Sequence, residues 1–161
     1  MRTPHPKAIV VGLLSAGLVF LAGYFIVMDR VFLPRAEATL DRVQLHLEPA
    51  PRPLGVGKRG MLFLSVDNRA NHDSVRLRDA LLSPSLADVV RFDGETFTAQ
   101  GAVLDGPRVV WNREISGGGS VDLPLTFYAR KAGRYEGAVL VLLDVPRMTK
   151  GRSLPLTIEV R

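Results

Sequence analysis

The sequence contains no cysteine. Disulfide bonds and thiolate metal sites are therefore excluded, and the cysteine count assigns no redox compartment. Histidine is scarce as well, because His5, His46 and His72 stand too far apart in the chain to form a local pair of metal ligands. His46 falls on the polar side of an alternating run and His72 in a turn, so solvent exposure is predicted for both.

Motifs of catalysis and nucleotide binding are missing too. The sequence has no G-x-x-x-x-G-K-[ST] loop and no G-x-S-x-G turn. Residues 55–60 match G-x-G-x-x-G, but a proline-rich segment precedes them and a strand follows, whereas dinucleotide binding needs a strand before the motif and a helix after it. A turn is predicted there.

The residues from Asp67 onward also depart from the pattern of a calcium-binding loop. A twelve-residue loop starting there would have His72 at the position of its middle glycine and Arg78 at the position of its terminal glutamate. We therefore interpret the carboxylates and amides between residues 67 and 79 as turn formers, and predict a non-enzymatic protein without catalytic residue, metal or cofactor.

Acidic residues are absent before residue 29. The chain has a net charge of +5, and the part from Asp29 onward carries 19 basic and 16 acidic side chains, a net charge of +3. These charges are interspersed and form no stripe of one sign, so neither a nucleic-acid partner nor a small-molecule substrate is predicted.

Residues 8–28 form a run of 21 residues without any charge. A helix of this length spans about 30 Å, the thickness of the hydrocarbon core of a bilayer. We predict a cytoplasmic tail at 1–7, a transmembrane helix at 8–28, a charged juxtamembrane linker at 29–41 and a β-sandwich at 42–161. A cleavable signal peptide is the alternative, because residues 36–38 have the A-x-A form, but the apolar run is longer than is usual and charged residues separate it from that site.

The orientation of the helix follows from its cationic flanks. Arg2 and Lys7 precede the apolar run, and Arg30, Arg35 and Arg42 follow it, so that counts of lysine and arginine on the two sides nearly tie. A short cationic tail is difficult to translocate, and the N-terminus is therefore predicted to stay in the cytoplasm.

One face of this helix carries small residues. Their positions coincide within one narrow stripe, which consists of Ala8, Gly12, Ser15, Ala16, Val19 and Gly23. Such a stripe lets another helix approach closely in lipid, which predicts a helix-packing surface; the alternative is that glycine and alanine are simply common in membrane helices.

The remainder of the chain alternates between apolar and polar residues with a period of two, as half-buried strands do. These runs begin at Val43, Leu62, Val75, Val109, Val121 and Leu154, and a continuously apolar run, 139–143, is predicted to be covered on both faces. Turn residues separate the runs, including Asp105-Gly106 and Gly117-Gly118-Gly119. About seven or eight strands of this kind predict an all-β, immunoglobulin-like antiparallel sandwich. A short helical turn is expected at 86–90 and no other helix after the anchor, and Trp111 is expected in the core.

The C-terminal third is locally basic. Six cations are candidates for contact with lipid headgroups or an acidic partner, and solvation is the alternative for all of them. They are Arg130, Lys131, Arg134, Arg147, Lys150 and Arg152.

Several short segments together resemble a known bacterial β-sandwich. They are Leu54-Gly55-Val56-Gly57, Leu64-Ser65-Val66-Asp67-Asn68, the run from Val75 to Leu81, the run from Gly117 to Leu123, and Gly133-Arg134-Tyr135. The pattern is similar to the sandwich that precedes the von Willebrand A-like domain in MoxR-associated bacterial membrane proteins, and to the "conserved repeat" domains of bacterial surface proteins. The resemblance implies a fold and a scaffolding role in a bacterial membrane protein. With the orientation that the cationic tail favours, we expect a bacterial inner-membrane location with the domain in the periplasm. The resemblance implies no activity, because the metal-binding domain of those proteins has no counterpart here.

Two functions remain in view from the sequence. The first is an accessory subunit of a larger membrane complex, with its helix docked against partner helices and its sandwich bracing the complex at the membrane surface. The second is a free-standing anchored binding module that recognises a ligand or surface partner through loops at 70–74, 83–87 and 147–152.

Overall fold

The chain begins with an uninterrupted helical segment. The structure, a computed structural model, describes residues 6–49 and 54–161, with side chains described for residues 17–48 of the first range. Helix α1 (Pro6–Val27) runs into a π-helical turn (Met28–Phe32) and continues as helix α2 (Leu33–Arg42). In the turn, the Leu33 N–H donates to the Met28 carbonyl five residues back. Pro34 follows directly, and because proline has no N–H and crowds the preceding turn, a wider turn at this point lets the helix continue.

The helical segment changes the expected domain organisation. Among the described residues, one stretch of helix, Gly17–Arg42, is long and apolar enough to cross a membrane by length and composition. The expectation that no helix other than a short turn at 86–90 follows the anchor is wrong at 29–41, because these residues are helical throughout. The charges of this segment suggested an exposed connection, but α2 is stabilised by packing Leu40 against the sandwich, a tertiary contact that local sequence does not reveal.

Nine strands and two further short helices follow within the described residues. The strands are β1 (Gln44–Pro49), β2 (Arg59–Asp67), β3 (Val75–Leu82), β4 (Val90–Phe92), β5 (Val103–Asp105), β6 (Arg108–Ile115), β7 (Ser120–Ala129), β8 (Gly133–Val145) and β9 (Met148–Val160), and the helices are α3 (Pro84–Ala87) and α4 (Gly94–Ala99). The seven predicted runs correspond to β1, β2, β3 and β6 to β9. The sequence did not predict β4, β5 or α4; β4 and β5 are too short to show alternation.

The strands form an immunoglobulin-like sandwich of two antiparallel sheets. In the described residues, one sheet has the order β1-β2-β7-β4 and the other has the order β5-β6-β3-β8-β9. A parallel bridge joins Leu54, just before β2, to Val160 at the end of β9 and so connects the two sheets at one edge. The predicted all-β sandwich class is confirmed.

The core lies between the two sheets and consists of the inward-facing side chains, which are alternate residues of each strand. Leu64, Leu77 and Val141 are fully buried there. Trp111 is buried, as predicted, and meets Phe97 edge-on at 6.2 Å between ring centroids, while Phe97 meets Phe92 at 5.2 Å. The run at 139–143 is covered only in part on its outer face, because Leu140 and Leu142 are half-buried.

The sandwich has two distinct ends. The β2–β3 loop, the β6–β7 turn and the β8–β9 turn lie at the end that faces helix α2, as the register of β2 with β7 and of β3 with β6 and β8 requires. We call this the junction end. The β3–β4 and β7–β8 connections lie at the opposite, distal end.

Asn68 organises the loops of the junction end. Its side-chain NH₂ donates to the carbonyls of Asp73, Ile115 and Ser116 at 3.0 to 3.2 Å, and its side-chain oxygen accepts from Asn71 Nδ2 at 2.7 Å. The β6–β7 turn packs so closely here that a Cβ on Gly117 would lie 2.1 Å from the His72 carbonyl oxygen. Asn68 and Asn71 are therefore buried structural residues, in accord with their interpretation as turn formers.

Replacing Asn68 by alanine is expected to lower the free energy of unfolding by about 3 kcal/mol, because three carbonyls and the Asn71 amide lose a buried partner. The measurement is chemical unfolding of the full chain in mild detergent, followed by the fluorescence of its one tryptophan, Trp111. The matched control is Gln44→Ala at an exposed position, with a change of about 0.5 kcal/mol or less. Equal stability of the two variants would contradict the assigned role of Asn68.

Candidate functional site at the helix–sandwich junction

Helix α2 closes the junction end of the sandwich. Leu40, near the C-terminus of α2, and Val43, just after it, belong to the same buried cluster as the strands. Thr39 is buried as well, while Asp41 and Arg42 face outward. The last turn of α2 is therefore part of the core and not a tether beside it.

The C-terminal carbonyls of α2 bind side chains of the sandwich. These carbonyls have no partner within a helix and carry its partial negative charge. Arg152, on β9, donates to the Leu40 carbonyl at 2.5 Å and to the Val43 carbonyl. Asn71 donates to the Thr39 carbonyl at 2.9 Å. The sandwich thus supplies the cap for this helix.

Ion pairs surround the cap. Lys150 Nζ lies 2.6 Å from Asp41 Oδ1, and Arg152 Nη2 lies 3.6 Å from the same oxygen. On the other flank, Arg35 pairs with Asp73 at 3.1 Å. The hydrogen bond from Lys150, together with the positive charges of Lys150 and Arg152, holds the pKa of Asp41 below its usual value, although desolvation acts in the opposite direction.

The tip of the β8–β9 hairpin reaches back along the helix. Arg147 has a positive φ of 73° and lies with its guanidinium carbon 6.0 Å from the centre of the Tyr24 ring and 5.8 Å from that of Phe32. It also contacts the Met28 sulfur. These helix residues are spaced four apart and lie on one face, so the tip spans the π-helical turn.

A groove of about 500 Å³ separates the hairpin tip from α2. Its helix wall contains Phe32, Arg35 and Thr39, and its opposite wall contains Val145, Pro146 and Arg147. We call this the junction groove. The exposed surface of its lining is mainly apolar, and the ion pair of Arg35 with Asp73 also lines it.

The structure divides the six basic candidates between the two ends of the sandwich. Arg147, Lys150 and Arg152 lie at the junction, whereas Arg130, Lys131 and Arg134 lie at the distal end, where Arg134 pairs with Glu136 at 3.2 Å. The contacts of Arg147, Lys150 and Arg152 with the chain's own helix were not predicted from the sequence. The sequence did contain one indication of these contacts. Lys150 and Arg152 alternate in register with Leu154 and Leu156 and so lie on the inward face of the strand, where charged residues are unusual.

The candidate loops of the binding-module hypothesis are divided in the same way. Residues 70–74 and 147–149 lie at the junction end, but residues 83–87 lie at the distal end, where Ser83 N–H donates to the Ala138 carbonyl. These loops do not form one continuous surface.

The small-residue stripe is described only in its C-terminal part. The side chains of Ala8, Gly12, Ser15 and Ala16 lie outside the described residues. Val19 is exposed, and a Cβ added to Gly23 would meet nothing within 4 Å. This part of the stripe is unoccupied by the chain itself.

The remaining sequence motifs have structural explanations. Residues 55–58 form a turn with φ of +72° at Gly57, and β2 begins at Arg59, so the predicted turn is confirmed. His46 and His72 are exposed, as predicted, while His5 lies outside the described residues. Among the residues that the structure describes, no group of three histidine or acidic side chains is arranged to hold a metal ion.

Comparisons with known proteins bear on the fold alone. The chain matches no protein-family model and no curated protein. Solved structures similar to it include PapD-like domain 7 of human CEP192, with 17% identity, a TM-score of 0.44, and coverage of 73% of this chain and 84% of that one. Another is self-complemented MyfA, the major subunit of Myf fimbriae from Yersinia enterocolitica, in complex with galactose, with 14% identity, a TM-score of 0.40, and coverage of 71% and 99%.

Arg152→Gln is expected to lower the free energy of unfolding by about 2 kcal/mol, because carbonyls at the end of α2 lose a charged donor. Arg113→Gln, at an exposed position on β6, is the matched control and should change it by about 0.5 kcal/mol or less. Amide hydrogen exchange should show faster exchange in α2 of the Arg152 variant. Unchanged exchange in α2 would contradict the capping role.

The low pKa of Asp41 predicts a pH dependence of the junction. A carboxylate with a lowered folded pKa stabilises the fold above its unfolded pKa, and this contribution is lost as the pH falls through the folded value. Wild type should therefore lose stability below about pH 4 more steeply than Asp41→Asn. Unfolding curves at successive pH values measure this. Glu114→Gln, which removes an exposed carboxylate without an ion pair among the described residues, should keep the wild-type slope.

Proposed function

We propose that this chain is a non-enzymatic, single-pass membrane protein that acts as an accessory subunit of a larger membrane complex. Its helix docks in the bilayer, and its sandwich braces the complex at the membrane surface. One observation carries the proposal: the helix that would cross the membrane continues into α2, whose end is packed into the core of the domain and capped by it.

This continuity favours bracing over capture. A module that searches for a ligand benefits from a flexible tether, whereas a rigid joint transmits position from helix to domain. The separation of the candidate loops between two ends of the sandwich also argues against one ligand site built from all of them. The free-standing binding module therefore remains the second candidate.

The same contacts support an anchor over a cleaved leader. Cleavage after the A-x-A sequence would divide α2 just before Thr39 and remove Arg35, the partner of Asp73. Leu40 would remain at a free terminus although it is fully buried. A retained helix keeps these contacts. We infer an N-terminus in the cytoplasm and a periplasmic domain at a bacterial inner membrane, as the flanking charges and the family resemblance imply.

The surface of the helix offers a partner contact at Val19 and Gly23. Both are open in the chain, and small side chains there let a second helix approach closely. Gly17 lies on nearly the opposite side of the same helix and is equally open. The two glycines therefore form a matched pair for testing which face is used.

Gly23→Leu is expected to release the chain from its partners, whereas Gly17→Leu leaves the complex intact. Both substitutions add the same side chain and the same helix propensity, so they differ only in the face that they enlarge. The measurement is the native size of the tagged chain after extraction from its own membranes in mild detergent, with identification of the co-migrating proteins.

The outcomes separate the two functions. A large assembly in wild type that is lost in Gly23→Leu supports the accessory subunit. Migration of wild type near the size of a lone 17.6 kDa chain in its micelle would contradict it and favour the free-standing module. Equal assembly of both variants would exclude docking through the small-residue stripe.

A further inference from the structure

The tip of the β8–β9 hairpin lies beside the point along the helix axis where the apolar run of the helix ends. We call this position the height of the tip. The guanidinium of Arg147 is placed against Tyr24 and Phe32, and the first charged residue after the apolar run, Asp29, falls between them in sequence. If the helix crosses a bilayer, this height is the interface, where aromatic rings and lipid headgroups are found. The tip of the sandwich therefore meets the membrane surface.

The charge of Arg147 is uncompensated at this height. Lys150, Arg152 and Arg35 each pair with a carboxylate of the chain, whereas Arg147 has no carboxylate partner among the described residues. Its guanidinium carbon lies over the rings of Tyr24 and Phe32, and its Nη1 contacts the Met28 sulfur. Within the described part of the chain, the donors at Nε and Nη2 are left to bind an oxyanion, and phosphate oxygens match their geometry.

The backbone at Arg147 is strained. Pro146 followed by a positive φ is the pattern of a type II turn, and glycine is the usual residue at the second central position. An L-residue there costs about 1–2 kcal/mol relative to a right-handed conformation. The turn thus holds an arginine where glycine would be more stable, which suggests that the side chain has a use.

The junction groove provides room beside this cation. Phe32, Val145 and Pro146 form apolar walls of a groove of about 500 Å³. Its lining also includes the ion pair of Arg35 with Asp73, and Arg147, whose charge has no carboxylate partner among the described residues. Apolar walls beside one uncompensated cation suit a molecule with a phosphate beside acyl chains. A free anion would gain little from the apolar part.

We propose that Arg147 binds the phosphate of an anionic phospholipid whose glycerol region and upper acyl chains enter the junction groove. The proposal rests on the membrane anchoring proposed above and names the lipid partner of that anchor. An anionic headgroup is favoured because it carries no cation of its own to compete with the guanidinium.

The test compares lipid binding by wild type and Arg147→Gly. The full chain in mild detergent is titrated with dioleoylphosphatidylglycerol, and native mass spectrometry measures the lipid concentration at half occupancy. This concentration should be about fivefold higher in Arg147→Gly, the loss expected for one basic residue at an anionic surface. Because glycine relieves the strained turn, the variant should be at least as stable as wild type, so misfolding does not explain a loss.

Matched variants and lipids make the result specific. Arg147→Gln should lose binding like Arg147→Gly, and Arg130→Gln, at the distal end, should bind like wild type. Dioleoylphosphatidylcholine should bind more weakly than the glycerol lipid, and inorganic phosphate should not displace the lipid. Equal binding by wild type and Arg147→Gly, or by the two lipids, would overturn the proposal, and displacement by phosphate would identify a simple anion site instead.

Failure of the anchor is detected separately. The chain is incorporated into phosphatidylcholine–phosphatidylglycerol vesicles and washed with alkaline carbonate. An inserted helix keeps both wild type and Arg147→Gly in the vesicles, whatever their lipid affinities. Release of both would overturn the membrane anchor and, with it, the proposal.

Discussion

The capping of helix α2 by Arg152 is the interaction on which the rest of the structure depends. A helix that leaves an apolar run has four carbonyls at its end without partners, and water would normally solvate them. Here Asn71 and Arg152 of the sandwich bind two of them, those of Thr39 and Leu40, while the Leu40 side chain is buried. The helix end and the domain core are therefore one packing unit, and the direction of the helix determines the direction of the sandwich.

This coupling divides the surface of the domain into an end close to the helix and an end far from it. The junction end carries the buried Asn68 network, the ion pairs of α2 and the hairpin tip. The distal end carries a separate group of cations that includes Arg130 and Lys131 and points away from the helix. A molecule bound at the junction end and one bound at the distal end would therefore contact different residues, although both groups of cations belong to one basic stretch of sequence.

The sandwich was predictable from sequence because each half-buried strand repeats with a period of two. The strands β4 and β5 could not be predicted in this way, because each has three residues and so is too short to show a period. Helix α2 was not predicted because its sequence is rich in charged residues. Its stability comes from the burial of Leu40 and from hydrogen bonds that distant side chains donate to its carbonyls. At the junction, Lys150 and Arg152 gave one readable sign, charge in the inward phase of a strand, but their partners were 109 or more residues away in sequence.

The π-helical turn is where such a rod would bend most easily, because the wider turn and Pro34 weaken the regular hydrogen bonding there. Arg147 contacts Tyr24 before this turn and Phe32 at its end, so the hairpin braces the helix on both sides of its weak point. Bending the helix would separate Arg147 from one of the two rings and open the junction groove. Under the lipid-binding proposal, a ligand that contacts both Arg147 and the helix would favour the straight form and stiffen the joint between helix and domain.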